Sequence, residues 1–576
     1  MGSARLPRPI RLAGVALLGL GSLAVLGPGS APAEEQPGPC GPSPVPAFFS
    51  DDAPGLPVAE PDERGDYTLT AHVGAHSFHS GWPAVRTLGY SAPGAPMDYL
   101  GPTIVTREGT PTAVKVVNAL PPAGVRVFPF DQPDNENTTT LHRHGGLQAP
   151  VDDGVPAPLQ EQTPPGGSRV LHYPNTQAAS PLWYHDHPDM NASYHVYEGL
   201  AGYIPNTDPL ERTYGLPSGD FAKTFIVQDK SFNRDFTLCY GHTRPQFFGD
   251  LPVVNGTIAP KQQVEPRRYT FTLINGSDSR FYRFGFKQVC GRPSNAPRMT
   301  VVAGDNGYVL HPAPVTDLVV APGERYKLVV DFTGHQSENW VLSNTAPIPF
   351  PGRFSDGVDP EGGRISQVMR FDVGSSVSSP DTSRVPATLA ETNNSPPASA
   401  LLAGARLRTV QGAEAGRGSP QLGDRDRVLD YSDPVTETPE YGTTEAWAFR
   451  NRTGDAHPIH EHLVELRLVG RWHVGRWDAG GNPVPSTIGP FEPAAAFESG
   501  PKDTFITPPD SITVWVGRYT VPGTAVWHCH IMSHEDGAAS GGEVEMMRPL
   551  SVVSAPQLQL PFVVNLQRLD QLVRQP

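Results

Sequence analysis

The chain has 576 residues, with 59 acidic against 44 basic side chains and a formal charge of −15. That length exceeds what one hydrophobic core supports, so about three or four domains are expected. The acidic balance, with no basic patch, argues against a nucleic-acid surface, and 65 prolines with 59 glycines favour short strands and turns over long helices.

Residues 1–33 read as an export signal. Arg5, Arg8 and Arg11 precede an apolar stretch from Leu12 to Gly27, and Ala31-Pro32-Ala33 offers small residues for cleavage, giving a mature start near Glu34. A membrane anchor is the weaker reading, because the apolar stretch is short and Gly-rich. No later stretch approaches about 18 unbroken apolar residues, so no spanning helix is expected. The signal carries three arginines and no acid, so its removal makes the mature chain more acidic still. A soluble, secreted monomer is expected.

A loose threefold repeat follows. Thr112-Ala113-Val114-Lys115-Val116-Val117-Asn118, Tyr269 to Asn275 and Thr443 to Asn451 each run through a strand-like pattern and stop at Asn. A second strand closes each unit: Trp183-Tyr184-His185-Asp186-His187, Asn339-Trp340-Val341-Leu342-Ser343-Asn344 and Trp527-His528-Cys529-His530. Histidines mark the first and last copies, so the middle unit reads as a spacer. Short strands with turn signals suggest Greek-key sandwiches. The expected organisation is 47–205, 206–374 and 404–556 as domains, 375–403 as a Ser/Pro/Thr-rich linker, and 557–576 as a tail, either a short amphipathic helix packed back or a frayed end.

Ten of the 19 histidines fall in four clusters: Leu141-His142-Arg143-His144-Gly145-Gly146, His185 with His187, His457-Pro458-Ile459-His460-Glu461-His462, and Trp527 to His534. A thiolate with imidazoles is a donor set for copper or zinc. Neighbours on a strand point to opposite faces, so Cys529 would serve one metal while His528 and His530 reach others. An electron relay needs that arrangement; a structural zinc does not. His72, His76 and His79 lack a partner cluster and read as surface residues, and His195 reads as a packing residue. With Cys529 assigned to metal, Cys40, Cys239 and Cys290 allow one disulfide at most. Cys239–Cys290 is the preferred pairing, with Cys40 to either as the alternative.

These motifs, with Asp433-Pro434-Val435-Thr436-Glu437-Thr438-Pro439 and His528 to Asp536, resemble the multicopper oxidases. The similar branch holds spore-coat laccases, bilirubin oxidases and phenoxazinone synthase, and the likeness runs from about Tyr99 to Leu550. It implies an all-β fold of three consecutive cupredoxin-like Greek-key β-barrel domains, with a site between the first and third. It implies four coppers per chain. His457, Cys529 and His534 would hold type 1, His142 and His460 type 2, and His144, His185, His187, His462, His528 and His530 the type 3 pair. It also implies a small organic reductant (a phenol, aminophenol or tetrapyrrole) and dioxygen as partners. Asp153 and Glu535 match the acidic positions that would relay protons. Met546 is the expected axial ligand, although residues 537–545 separate it from His534-Glu535-Asp536; spacing alone would instead put Ala539 there. A cuprous oxidase would carry clustered methionines, whereas this chain has eight with only Met546-Met547 adjacent. A copper-free scaffold on the same fold would not keep every ligand.

Overall fold

Each repeated Asn-terminated segment is a strand, and each is built into its domain the same way in this computed structural model. Thr112–Asn118 pairs parallel with Tyr67–His76, Arg268–Asn275 with Ala222–Phe232, and Thr444–Asn451 with Ala405–Glu414. The closing Asn explains why the pattern stops there. Asn118, Asn275 and Asn451 each accept on Oδ1 from the N–H two residues on. Each also donates from Nδ2 to two carbonyls, such as Asn137 O and Thr163 O for Asn118. A buried side-chain amide thus satisfies the backbone where the ladder ends.

The structure describes residues 40–575 apart from 128–135, 242–245, 291–294, 353–363, 390–395, 415–419, 537–544 and 555–559. The expected export segment and Ala539 lie outside the described residues. The first domain has a four-stranded sheet and a three-stranded sheet (Leu141–His144, Trp183–Asp186, Ala201–Tyr203). Leu69, Leu88 and Val114 of the one share a core with Leu141, Tyr184 and Ala201 of the other. An eight-stranded and a five-stranded sheet form the middle domain, where Phe271 and Leu328 pack on Phe284 and Phe371. A seven-stranded and a four-stranded sheet form the last, where Trp447 and Trp515 pack on Phe505, Trp527 and Cys529. Alternation drives this layering: Thr112–Asn118 alternates buried positions with more accessible ones. The fold is all-β, with three cupredoxin-like domains. No helix among the described residues is long and apolar enough to cross a membrane.

The tail takes the first of its two expected forms. Leu566–Val573 is a helix whose Leu569, Leu572 and Val573 cover the outer face of the seven-stranded sheet, beside Ala446 and Val514. Asp570 accepts from Trp472 Nε1 at 2.9 Å.

The disulfide differs from the preferred pairing: Cys40 bonds Cys239, not Cys290 to Cys239. Cys239 sits on the short Leu238–Cys239 strand, against which the start of the described chain is laid. Ser43 anchors that start, accepting on Oγ from Phe232 N at 2.8 Å and donating its N–H to Asp250 at 2.9 Å. The terminal segment brings Cys40 beside Cys239 across 199 residues of sequence, so nearness along the chain is a poor guide to the pairing. Removing either bridged cysteine (Cys40→Ser or Cys239→Ser) is expected to cost about 2–5 kcal/mol of stability, read by denaturant unfolding. Non-reducing peptide mapping should recover the Cys40–Cys239 linkage.

Candidate metal centre

Strand geometry sorts the candidate ligands. Side chains two apart on a strand share a face, and those one or three apart oppose each other. His142 and His144 lie on Leu141–His144, paired antiparallel with Trp183–Asp186 so that His142 stands opposite His185. His457–Glu461 pairs with Gly523–Cys529, setting His460 opposite His528 and Ile459 opposite Cys529. The first and last domains therefore present the same cross-strand pair of histidines. His457, three before His460, turns the other way, toward Cys529.

Two clusters result, and all ten histidines and Cys529 are buried. In the first, Cys529 Sγ lies 3.5 Å from His457 Nδ1 and 3.8 Å from His534 Nδ1. Thr453 Oγ at 2.7 Å holds the far nitrogen of His457. The second gathers the other eight imidazoles. Ligand atoms lie within 4.8 Å of one another in the groups His142–His460–His462, His142–His144–His185 and His187–His462–His528. His530 Nε2 joins them 3.1 Å from His144 Nδ1.

In three of the four same-face pairs the residue between the histidines anchors the pair from behind. Arg143 donates to Asn175 Oδ1 at 2.7 Å and lies over the Tyr173 ring. Asp186 bonds His195 Nδ1 at 2.5 Å, so His195 steadies the site. Glu461 accepts from Trp515 Nε1 at 3.0 Å and Tyr519 OH at 2.6 Å, and burial pushes its carboxyl up to about 7. In the fourth pair, His528 and His530, the intervening residue is Cys529, a member of the other cluster. One peptide therefore serves both.

The acidic positions reach the second cluster. Asp153 accepts from His462 Nδ1 at 2.9 Å and from Gln148 Nε2 at 2.7 Å, and its main-chain O accepts from His142 Nδ1 at 2.7 Å. Burial favours its neutral form, but the His462 and His142 imidazoles prevail and hold it below the usual carboxylate range. Glu535 spans two imidazoles, 3.3 Å from His187 Nε2 and 3.2 Å from His528 Nδ1. Met546 is buried in the core that holds Cys529, and its main-chain O accepts from Cys529 N at 3.0 Å.

The donors fit a metal. The Nδ1 atoms of His142, His185, His460 and His528 face main-chain carbonyls of Asp153, Asp186, Asp503 and Cys529 at 2.7–3.1 Å. A carbonyl only accepts, so these nitrogens carry the proton and leave Nε2 bare. The Nε2 atoms of His142, His185 and His460 are buried without a hydrogen-bond partner, a rarity that ligation would explain. Burial, and then neighbouring imidazoles, depress the histidines, His462 to about 3 and His144, His185, His187, His457, His460 and His530 well below the ordinary value. Neutral imidazoles are the ligating form. Burial pushes the Cys529 thiol up, so its proton must leave when metal binds.

Asp503 and Arg325 carried no sequence signal; Asp503 lies in an ordinary Lys502-Asp503-Thr504 lead-in to a strand, yet it contacts His144 and His460. The early histidines do not form a site: His72 faces Asp98, His76 bonds Gly256 O, and His79 faces Ser50.

A two-histidine, one-cysteine site beside an eight-imidazole cluster, on cupredoxin-like domains, defines a copper protein. Multicopper oxidase family models match residues 131–208 and 403–545. The chain is 32% identical to a laccase of Bacillus subtilis, over 86% of this chain and 96% of that one. It is 31% identical to the multicopper oxidase LPR1 of Arabidopsis thaliana, over 83% of this chain and 86% of that one. Among solved structures, the McoA multicopper oxidase of Aquifex aeolicus has the same fold, with a TM-score of 0.68 at 23% identity, covering 88% of this chain and all of that one. The chain belongs to the multicopper oxidase family: it is a copper-dependent oxidoreductase that uses dioxygen as acceptor.

Because folding depresses these histidines, the unfolded chain binds more protons below about pH 6.5. The stability held by neutral imidazoles is complete above that value and drains away as pH falls through it. Scanning calorimetry of the copper-free protein should show Tm dropping steeply from about pH 7 to about pH 5; a flat profile would contradict the burial described.

Proposed function

We propose that the protein is a laccase-like oxidase. It would take single electrons from phenolic, aminophenolic or tetrapyrrole reductants and pass four of them to dioxygen, yielding two waters. His457, Cys529 and His534, with Met546, would hold the type 1 copper in this reading. His142 and His460 are type 2, and His144, His185, His187, His462, His528 and His530 hold the type 3 pair. The reading includes export of a monomer, mature from about Glu34, with domains at 47–205, 206–374 and 404–556.

The observation that carries it is the His528-Cys529-His530 peptide, whose sulfur joins one cluster and whose flanking imidazoles join the other. Bound copper would supply the one-electron redox steps, taking electrons from the reductant near Cys529 and delivering them to dioxygen at the imidazoles. The chain's own work is positioning and proton supply. Burial excludes bulk water from the cluster, so protons must come from fixed groups. Glu535, between His187 and His528, is the group best disposed to hand them over. Asp153 orients His462 and His142 and keeps a negative charge beside them. Met546 would join the type 1 set, because directly after the 537–545 insertion its main-chain O accepts from Cys529 N and its side chain lies in the same core.

Replacing Cys529 with Ser should abolish the visible thiolate band and oxygen uptake while the imidazole cluster keeps its copper. Normal oxidation by that variant would end the proposal. Glu535→Gln should keep copper and colour and lose about 10²–10⁴-fold in turnover, the span of a general acid. Unchanged type 1 spectrum and potential in Met546→Leu would remove Met546 from the ligand set. Copper analysis with oxygen uptake on a phenolic dye against Cu(I) separates this reading from a cuprous oxidase.

A further inference from the structure

The middle domain contributes none of the candidate ligands, yet it reaches the imidazole cluster at two points. Gly323, at φ +83°, lays its backbone against His530; a Cβ there would stand 2.7 Å from the ring's Cδ2. Arg325, two residues on and fully buried, forks onto Asp503 of the last domain, Nη1 to Oδ1 and Nη2 to Oδ2, both at 2.7 Å. Its Nε donates to Pro181 O of the first domain at 3.2 Å, and Nη2 to Asp305 O of its own at 2.9 Å. One guanidinium is thus clamped by all three domains.

Asp503 in turn touches two candidate ligands. Its main-chain O accepts from His460 Nδ1 at 2.9 Å, and its Oδ1 accepts from His144 Nε2 at 3.1 Å. The second contact is the unusual one. His142, His185, His460 and His528 turn Nδ1 outward onto carbonyls, and His462 turns it onto Asp153. His144 is reversed: Nε2 points outward, and Nδ1 faces His530 Nε2. A carboxylate only accepts, so Asp503 keeps the proton on Nε2 and leaves the inner lone pair bare. Gly145, at φ +84°, makes the room; a Cβ there would lie 2.4 Å from Asp503 Oδ2 and 2.6 Å from Arg325 Nη2.

We infer that Arg325 and Asp503 are positioning residues. The bidentate pair holds His144 in its reversed orientation and tautomer, Nδ1 inward, so a domain without ligands sets the geometry of the oxygen-reducing cluster. This rests on the assignment of His144 and His530 to the type 3 pair.

Asp503→Ala tests it by removing both oxygens, so that His144 Nε2 loses this acceptor and Arg325 its partner. Asp503→Asn is the conservative control, because one oxygen in the Oδ1 place still accepts from Arg325 Nη1 and His144 Nε2 together. The readouts are copper per chain, the visible thiolate band and the EPR-detectable share of the copper, since two coupled copper(II) ions are EPR-silent. Asp503→Ala should keep the thiolate band and lose most of the EPR-silent copper, as missing metal or as new EPR signal; Asp503→Asn should retain more of it. Parental silent copper in Asp503→Ala, or Asp503→Asn no better than Asp503→Ala, overturns the inference. If Asp503→Ala does not fold, Arg325→Lys, which keeps the charge and loses the fork, should show the same loss in smaller measure, and unchanged silent copper there overturns it. A parent protein with no EPR-silent copper would refute the type 3 assignment instead.

Discussion

The register between His457–Glu461 and Gly523–Cys529 is the constraint on which the site depends. With Ile459 opposite Cys529 and His460 opposite His528, the sulfur falls on one face and the imidazoles on the other. A slip of one residue would exchange the faces. Bonds at the strand's end oppose that slip: His530 N donates to Pro458 O at 2.7 Å, and Cys529 N to Met546 O at 3.0 Å. Trp527, wholly buried between Trp447 and Phe449, fixes the approach from the core side. Truncating a side chain so placed costs about 3–5 kcal/mol.

The second cluster is held by polar groups that would be costly to bury alone. Arg143, Asp186, Glu461, Asp503 and Arg325 are all essentially without solvent contact. Each is committed to several hydrogen bonds, which is the condition under which buried charge is tolerated. The consequence is rigidity: an imidazole whose outer nitrogen is bonded to a fixed acceptor has its ring plane and proton position set before metal arrives. The same bonds tie the domains together, since Asp153 of the first domain holds His462 of the last, and Arg325 of the middle holds Asp503.

Much of this was legible in the residues. The threefold strand ending in Asn, the two-apart histidines, and the cysteine between two of them are local patterns. A strand's two-residue period converts such patterns directly into shared and opposed faces. The tail was half legible: its apolar spacing suits a helix, but only the exposed face of the seven-stranded sheet gives that helix something to cover. The cysteine pairing was misjudged because proximity in sequence does not report where a terminal segment is laid. The middle domain, read as a spacer, turned out to press Gly323 and Arg325 against the cluster. Nothing in Gly323-Glu324-Arg325 or Lys502-Asp503-Thr504 is periodic or motif-like.

The sequence by itself determined the donor chemistry and its facing, because ligand identity and strand alternation act over a few residues. Only the tertiary structure decided which acceptor each imidazole meets on its outer side, and hence which nitrogen stays bare. For His144 and His462 those acceptors, Asp503 and Asp153, come from segments 359 and 309 residues away. Their approach depends on how whole sheets pack, and no local pattern encodes that.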